Sequence, residues 1–244
     1  MKPQSYAALF VIVLLASACK KDPKINPIVF PNAVYQSVSP YNSNGEPDNL
    51  LKDTVSEALY TYVHQTLTYG QNLTISHPEF FTGTNTADIA ISQSSDVYVT
   101  FFSGKAGLSN TLAFYTYPTG TPPTSDKDVK LINYIFPNAG RNSPLVLGDK
   151  IKIGNFDAGT SIGFVILQNA WDTTKGSINS NSAHFCSTDA LNPETDPKLK
   201  RHAVLLNYTA ENKSLISFED VDRSSPNCDN DFADIIFYCT VDIH

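Results

Sequence analysis

Residues 216–238 read ISFEDVDRSSPNCDNDFADIIFY, in which two apolar runs flank a polar and strongly acidic segment. The runs Ile216–Phe218 and Ile235–Tyr238 are short and rich in Ile, Phe and Tyr, which is typical of β-strands. The Ser, Pro and Asn residues between them are typical of turns. The stretch therefore predicts two strands joined by a loop.

The same pattern of short apolar runs and turn residues continues through most of the chain. Predicted strands are Asp96–Phe102, Thr111–Tyr117, Lys130–Phe136, Lys150–Ile153, Gly163–Leu167, His202–Tyr208, Leu215–Phe218 and Asp234–Val241. Short strands at regular spacing with turn signals between them indicate an antiparallel β-sandwich or jelly roll. We assign residues 71–244 to this domain.

One helix is predicted before the strands. Apolar residues recur at intervals of three to four from Leu51 to Leu67, Pro47 suits a first helical turn, and Gly70 is suited to end the helix. The prediction is an amphipathic helix within residues 47–70 that packs on or precedes the domain. The expected fold class is thus mainly β with one N-terminal amphipathic helix.

The N-terminus has the pattern of an export signal. Lys2 precedes the apolar run Ala7–Leu15, which is too short to span a membrane, and small residues then lead to Cys19. This pattern resembles the lipobox of bacterial lipoproteins, although Ala16 stands where leucine is more usual. The resemblance implies a lipoprotein signal peptide at residues 1–18, lipidation of Cys19 and an outer-membrane lipoprotein of the cell envelope, facing the periplasm or the exterior. The alternative is an ordinary secreted protein.

Residues 19–46 contain four prolines and little periodicity, so we predict a flexible tether between lipid and domain. The formal charge of −7 and the lack of a stripe of Lys and Arg disfavour nucleic acid as a partner.

The cysteines after Cys19 are Cys186, Cys228 and Cys239. Three cysteines allow at most one intramolecular disulfide, and one thiol is left over. Cys186 and Cys228 both lie in polar segments, which favours a bond between them. The alternative is that all three are free thiols.

The acidic segment predicts a metal site. Two carboxylates about 4 Å apart repel by roughly 1 kcal/mol in water and about 4 kcal/mol at an effective dielectric of 20, so a tight cluster must spread into solvent or share a cation. Asp222 beside Arg223 is explained as ordinary surface. The remaining acids, close in sequence to the ends of two predicted strands, are candidate oxygen ligands for Ca²⁺: Glu219, Asp220, Asp229, Asp231 and Asp234. The spacing is not that of an EF-hand.

Other chemistry has weaker support. Gly159–Gly163 fits the G-x-S-x-G pattern of hydrolases, with Ser161 as nucleophile, but a strand-like run follows where that motif needs a helix. A hairpin between two strands is the preferred interpretation. The sequence has no H-E-x-x-H or C-x-x-C zinc motif. We therefore expect no enzyme activity. The single tryptophan, Trp171, is a candidate for stacking on a glycan.

The motif Phe218-Glu-Asp-Val221, followed by Asp229-x-Asp231-Phe-Ala-Asp234-Ile-Ile-Phe237, resembles the signature of the LruC-type C-terminal domain, a bacterial domain of unknown function (DUF4114). Further blocks in the same order extend the resemblance to roughly residues 85–242. The resemblance implies a β-sandwich in secreted or lipid-anchored surface proteins, without established catalysis. It also implies that the five candidate acids bind calcium.

The sequence departs from the family pattern at two positions. Ala233 stands where Asn is usual, so an amide ligand or a turn-stabilising hydrogen bond is missing, and Ala170 replaces the usual Gly before Trp171.

The hypothesis from the whole sequence is a lipid-anchored envelope protein with a calcium-binding β-sandwich and a structural or adhesive role towards a protein or glycan partner. The alternative hypothesis is a carbohydrate-binding module that uses Trp171.

Overall fold

The computed structural model of the chain describes residues 28–82 and 87–244. The predicted signal peptide 1–18, the predicted lipidation site Cys19 and the first part of the predicted tether lie outside these residues.

The described residues form fourteen strands, two α-helices and three short 3₁₀ segments. The strands are β1 (Val34–Ser37), β2 (Leu51–Lys52), β3 (Ile89–Ala90), β4 (Ser95–Gly104), β5 (Thr111–Pro118), β6 (Leu131–Phe136), β7 (Asp149–Phe156), β8 (Thr160–Leu167), β9 (Trp171–Asp172), β10 (Ser177–Ile178), β11 (His184–Cys186), β12 (Ala203–Tyr208), β13 (Lys213–Phe218) and β14 (Ile235–Ile243). The helices are α1 (Glu57–Thr66) and α2 (Leu73–Ser76), and the 3₁₀ segments are Pro78–Phe81, Asp189–Leu191 and Thr209–Glu211. All eight strands predicted from the sequence are confirmed.

The strands form two large sheets. The first sheet has the order β1-β6-β5-β8-β11, with β3 also paired to β8, and the second has the order β12-β13-β14-β4-β7-β2. A separate small hairpin consists of β9 and β10. Pairing within the large sheets is antiparallel except between β1 and β6, which run parallel.

The main hydrophobic core contains residues from both sheets, as expected for a β-sandwich. Alternate side chains of β4, β7 and β14 join those of β5 and β8 in one buried cluster. Phe164 of the first sheet meets Phe237 of the second edge to face, with ring centroids 4.9 Å apart. The mainly-β prediction is thus confirmed, with a sandwich-like arrangement of the sheets.

A second apolar cluster lies between α1 and one face of the second sheet. Leu59, Val63 and Leu67 of the helical segment pack with Phe102, Leu215 and Tyr238 of the sheet. A third cluster contains residues of β5, β6 and β8 together with Phe30 near the N-terminus. Both sheets therefore bury residues on their second faces as well. This explains why β8 reads as a continuous apolar run and not as an alternating one.

The helix is shorter than predicted. It begins at Glu57, not near Pro47, because the Ser56 side chain accepts a hydrogen bond from the Leu59 amide and caps it there. Leu51, which matched the helical spacing, is 50% exposed and lies in β2, paired with β7 at the edge of the second sheet. The predicted start of the helix is therefore wrong, while its buried face is confirmed.

The described part of the predicted tether, residues 28–46, is packed against the domain. Val34–Ser37 pairs with β6, and Phe30 is buried in the third cluster. The prediction of a flexible tether is thus wrong for these residues. Their irregular sequence reflects turns and one edge strand, which is a position that tolerates neighbouring prolines.

The predicted hairpin at Gly159–Gly163 is also wrong. Strands β7 and β8 flank this segment but belong to different sheets, so the turn at residues 157–159 carries the chain from one sheet to the other. Gly159 has a φ of 84°, a left-handed conformation that favours glycine.

Within residues 28–82 and 87–244, no helix is long and apolar enough to cross a membrane.

Candidate metal site

The acidic loop, residues 219–234, connects β13 to β14. These strands are antiparallel neighbours, and Phe218 at the end of one pairs with Ile235 at the start of the other. The register therefore brings both ends of the loop together. Glu219 and Asp220 follow β13 directly, and Asp234 precedes β14 directly, so that carboxylates from the two ends converge.

The structure brings all five predicted ligands into two overlapping groups. One group comprises Glu219, Asp229 and Asp231, and the other comprises Glu219, Asp220 and Asp234. Within each group, one carboxylate oxygen of every member lies within 4.8 Å of those of the others. Glu219 belongs to both groups. Three or more carboxylates at this separation provide the hard oxygen ligands that calcium prefers.

The loop backbone adopts a left-handed conformation at two residues near the site. Asn230 and Phe232 have φ values of 57° and 56°. Asn tolerates this conformation, but for a bulky residue such as Phe it is unusual and carries a cost in free energy. Phe232 is fully buried in the second apolar cluster, which offsets that cost.

Backbone amides fix Asp229 and Asp231 relative to one another. Asp229 Oδ1 accepts a hydrogen bond from the Asp231 amide at 3.2 Å, and Asp231 Oδ1 accepts one from the Ala233 amide at 2.7 Å. Asp231 Oδ2 also accepts from the Gly70 amide, 2.6 Å away, which lies just after α1. These bonds orient the loop carboxylates from two separate segments of the chain.

The second group is held by a different set of donors. The Asn110 side-chain amide donates to Asp220 Oδ2 at 2.5 Å, and the Asp220 backbone amide donates to Asp234 Oδ2 at 2.9 Å. Gln168 donates to the Asp220 carbonyl oxygen at 2.7 Å. Asn110 lies just before β5 and Gln168 just after β8, so the first sheet supports the acids carried by the second.

The five carboxylates have no cationic partner in the described part of the chain. None of its Lys, Arg or His residues lies within 4.0 Å of any of them as an ion pair. Arg223, the one cation of the loop, donates to the Asn230 side chain and to the carbonyl oxygens of Lys198 and Arg201. Its guanidinium also lies over the rings of Phe81 and Phe232. It therefore forms no ion pair with the five carboxylates, although its charge attracts that of Glu219, and Lys105 offsets part of the rise that burial causes in the pKa of Asp231.

Burial makes this uncompensated charge costly. Burial and the nearby Asp229 raise the pKa of Glu219 to about 7. Burial together with Asp220 and Glu219 raises the pKa of Asp234 to about 9. The pKa values of Asp220 and Asp231 are raised as well, mainly by burial. A divalent cation would lower all of these pKa values because it favours the ionised carboxylates.

Glu219 has an unsatisfied oxygen. The residue is only 1% exposed, and its Oε2 atom has no hydrogen-bond partner among the described residues. A buried polar atom without a partner costs free energy, and such atoms are few in native structures. This oxygen belongs to the residue common to both groups. The donor set therefore fits a hard divalent cation.

The two departures from the family pattern lie in apolar surroundings. Ala233 is 2% exposed and belongs to the second apolar cluster with Val63 and Leu67. Ala170 is buried in the third cluster. The Ala233 side chain thus packs towards the helix, while its backbone amide supplies the hydrogen bond to Asp231.

Asp222 is in neither acidic group, and it accepts hydrogen bonds from the amide and hydroxyl of Ser224.

Several other candidate residues are placed differently from the predictions. Trp171 is 4% exposed and meets Tyr41 edge to face, so its ring is not presented to a glycan. Cys186 and Cys228 are both free, as is Cys239, and the predicted disulfide is therefore wrong. Cys186 is fully buried in β11, whereas Cys228 lies in the acidic loop.

Ser161 is 4% exposed and lies within β8. Its hydroxyl forms a hydrogen bond with Thr119 at 2.8 Å. The hydrolase motif requires a helix after the serine. Here Ser161 and the residues that follow it lie in a strand.

The sequence interpretation missed several residues that support the site. His202, the first residue of a predicted strand, is buried and stacks on Phe185 with ring centroids 4.2 Å apart. Its Nδ1 donates to the Glu219 carbonyl oxygen at 3.1 Å, and its Nε2 lies 2.6 Å from Glu194 Oε1. Gly70, Asn110 and Gln168 carry no local pattern that marks them, because their partners are distant in sequence.

Comparison with known proteins gives one family. Residues 156–242 match the family model described as "Domain of unknown function (DUF4114)". No curated protein and no solved structure gives a significant match to the chain. The matched segment includes the whole acidic loop and the strands that flank it. Residues 156–242 therefore resemble the DUF4114 family, and the resemblance inferred from the acidic motif is confirmed over those residues.

Proposed function

We propose that the chain is a lipid-anchored protein of the bacterial cell envelope, and that its β-sandwich binds calcium at the acidic loop. Calcium then has a structural role in a domain that serves adhesion or another interaction, without catalysis. The ligands are Glu219, Asp220, Asp229, Asp231 and Asp234. The single observation that carries the proposal is the convergence of these five carboxylates, none of which forms an ion pair with a Lys, Arg or His among the described residues.

The charge and burial of the site support a divalent cation over solvent exposure. Glu219, Asp220 and Asp231 are buried, so they are not spread into water as surface acids would be. Without a cation, protons must neutralise part of the cluster, as the raised pKa values of Glu219 and Asp234 indicate. Calcium removes the need for these protons and stabilises the ionised form.

Calcium is favoured over magnesium by the nature of the site. The five proposed ligands are all carboxylates. They come from a 16-residue loop, residues 219–234, whose backbone includes two left-handed residues, Asn230 and Phe232. Calcium accepts six to eight oxygens in flexible geometry, whereas magnesium requires a compact octahedron and retains several waters. The proposed consequence is a fixed loop conformation at one end of the sandwich, joined to the segment that follows α1 through Gly70 and Leu73.

Thermal unfolding tests the proposal. The full chain, purified in an uncharged detergent, is melted at pH 7.5 with EDTA, with calcium and with magnesium. Calcium at about 100 times its Kd should add about 2.7 kcal/mol to the free energy of unfolding, and magnesium should add less. An equal melting temperature in calcium and in EDTA would refute the proposal.

Two variants make the test specific. Glu219→Gln removes the charge common to both groups at nearly constant shape, and the calcium effect should fall sharply. Asp222→Asn is the matched control, because Asp222 is a carboxylate of the same loop that belongs to neither group. Its calcium effect should equal that of the unchanged chain.

The envelope location is tested separately. The chain expressed in a bacterial host with its N-terminus intact should incorporate a radiolabelled fatty acid and fractionate with the outer membrane. Cys19→Ser should abolish the label, and a label that persists in this variant would refute lipidation at Cys19.

A further inference from the structure

The five carboxylates form two groups, and this division points beyond a single ion. Asp229 and Asp231 belong to one group, which we call the outer group, and Asp220 and Asp234 belong to the other, the inner group. Only Glu219 is common to both. The two pairs are also held by different donors, since Gly70 binds Asp231 whereas Asn110 binds Asp220.

The unsatisfied oxygen of Glu219 is the second observation. The Glu219 residue is only 1% exposed, and its Oε2 atom has no hydrogen-bond partner among the described residues. Asp220, Asp231 and Asp234 each accept at least one hydrogen bond from an amide. The residue shared by the groups thus has a buried oxygen without a hydrogen-bond partner, while the Cys228 thiol interacts with the same carboxylate. A carboxylate can contact two cations through its two oxygens.

We propose that the loop binds two divalent cations, one in the outer group and one in the inner group, with the Glu219 carboxylate bridging them. This inference rests on the proposed calcium site and specifies its stoichiometry. With all five acids ionised, one divalent ion leaves three negative charges uncompensated, and two ions leave one. Because the cluster is largely buried and no Lys, Arg or His of the described residues forms an ion pair with it, the negative charge left by one ion favours a second, and the shared Glu219 carboxylate screens the repulsion between the two ions.

The two positions differ in access to solvent. In the outer group Asp229 is exposed and Asp231 is buried, whereas in the inner group Asp234 is half-buried and Asp220 is buried. Because only the outer group has an exposed carboxylate, the outer ion is expected to exchange faster than the inner ion. Two kinetic phases of calcium release are expected when a chelator is added.

Counting the bound ions tests the inference. The full chain in an uncharged detergent is equilibrated with radioactive calcium at pH 7.5, and the bound calcium is measured per chain at saturation. Two ions per chain are expected. One ion per chain overturns the two-ion inference and leaves the proposed calcium site standing, while zero overturns both.

Single variants assign each ion. Asp229→Asn should lose the outer ion and Asp234→Asn the inner ion, so each should bind one calcium more weakly or not at all. Glu219→Gln should weaken both, and Asp222→Asn should retain two. Two ions bound by Glu219→Gln with unchanged affinities would overturn the bridging role. Circular dichroism of each variant establishes that it is folded.

Discussion

The backbone amide of Gly70 donates a hydrogen bond to Asp231 Oδ2 at 2.6 Å, across 161 positions of the sequence. Close by, the Leu73 amide donates to the Asn230 carbonyl oxygen at 2.8 Å. These two bonds join the chain after α1, from Gly70 to the first residue of α2, to the acidic loop. The position of α1 on the second sheet is therefore coupled to the conformation of a loop whose carboxylates are the proposed calcium ligands.

This coupling predicts that calcium protects the Gly70 and Leu73 amides from hydrogen exchange. Calcium at about 100 times its Kd should slow their exchange by about 100-fold, because an opening that releases the ion costs about 2.7 kcal/mol more. Exchange is followed by NMR or mass spectrometry in calcium and in EDTA. Glu219→Gln is the control and should show no such difference. Equal exchange rates for the unchanged chain in both buffers would contradict the coupling.

The raised pKa values predict how the calcium-free protein responds to pH. The pKa of Asp234 is about 9 and that of Glu219 about 7 in the folded chain, whereas unfolded carboxyls have pKa values near 4. Between these limits the folded state holds more protons than the unfolded state, so its stability falls as the pH rises. In EDTA, the melting temperature should decrease from pH 5 to pH 8.5.

Saturating calcium should remove much of this decrease, because the ion keeps the folded carboxylates ionised. Asp234→Asn in EDTA is the matched control and should show a shallower dependence on pH. A melting temperature that rises with pH in EDTA would show that the cluster does not hold protons in the folded state.

Ala233→Asn restores the residue usual in the family pattern and separates packing from metal binding. Because the Ala233 side chain lies in the cluster with Val63 and Leu67, an amide there should cost about 1–3 kcal/mol of stability. The Kd for calcium should stay unchanged, since the backbone amide that binds Asp231 is retained. Urea unfolding and calorimetric titration measure the two quantities. Tighter calcium binding in this variant would identify position 233 as a ligand position.

The three cysteines of the domain are predicted to remain free thiols. In a Cys19→Ser chain unfolded in urea without reductant, a thiol reagent should titrate Cys186, Cys228 and Cys239. In the folded chain only Cys228 should react, because Cys186 and Cys239 are buried, and it should react slowly, because burial and the nearby Glu219 raise the pKa of its thiol. A single reactive thiol in urea would indicate a disulfide.

The strands and the acidic site could be predicted because short local stretches of the sequence mark them. Short runs rich in β-branched and aromatic residues mark β13 and β14 whatever the rest of the chain does, and the spacing of the acids beside them marks the candidate ligands. Once Phe218 pairs with Ile235, the acids at both ends of the loop must converge.

The errors arose where distant contacts decide the structure. Leu51 fits the helical spacing, yet it lies in β2 because an edge of the second sheet is available for pairing there. The prolines before residue 46 suggest a tether, yet Val34–Ser37 pairs with β6 and Phe30 fills a cluster. Trp171 was a candidate for glycan stacking, but its burial depends on tertiary packing that composition does not reveal. The supports of the site, Gly70 and Asn110, were missed for the same reason.

A crystal grown with calcium tests the central claim most directly through an anomalous-difference map. Density peaks are expected inside the acidic loop, with carboxylate oxygens of Glu219, Asp231 and Asp234 within about 2.3–2.6 Å of a cation. Five ordered carboxylates with no anomalous density among them at saturating calcium would contradict the claim.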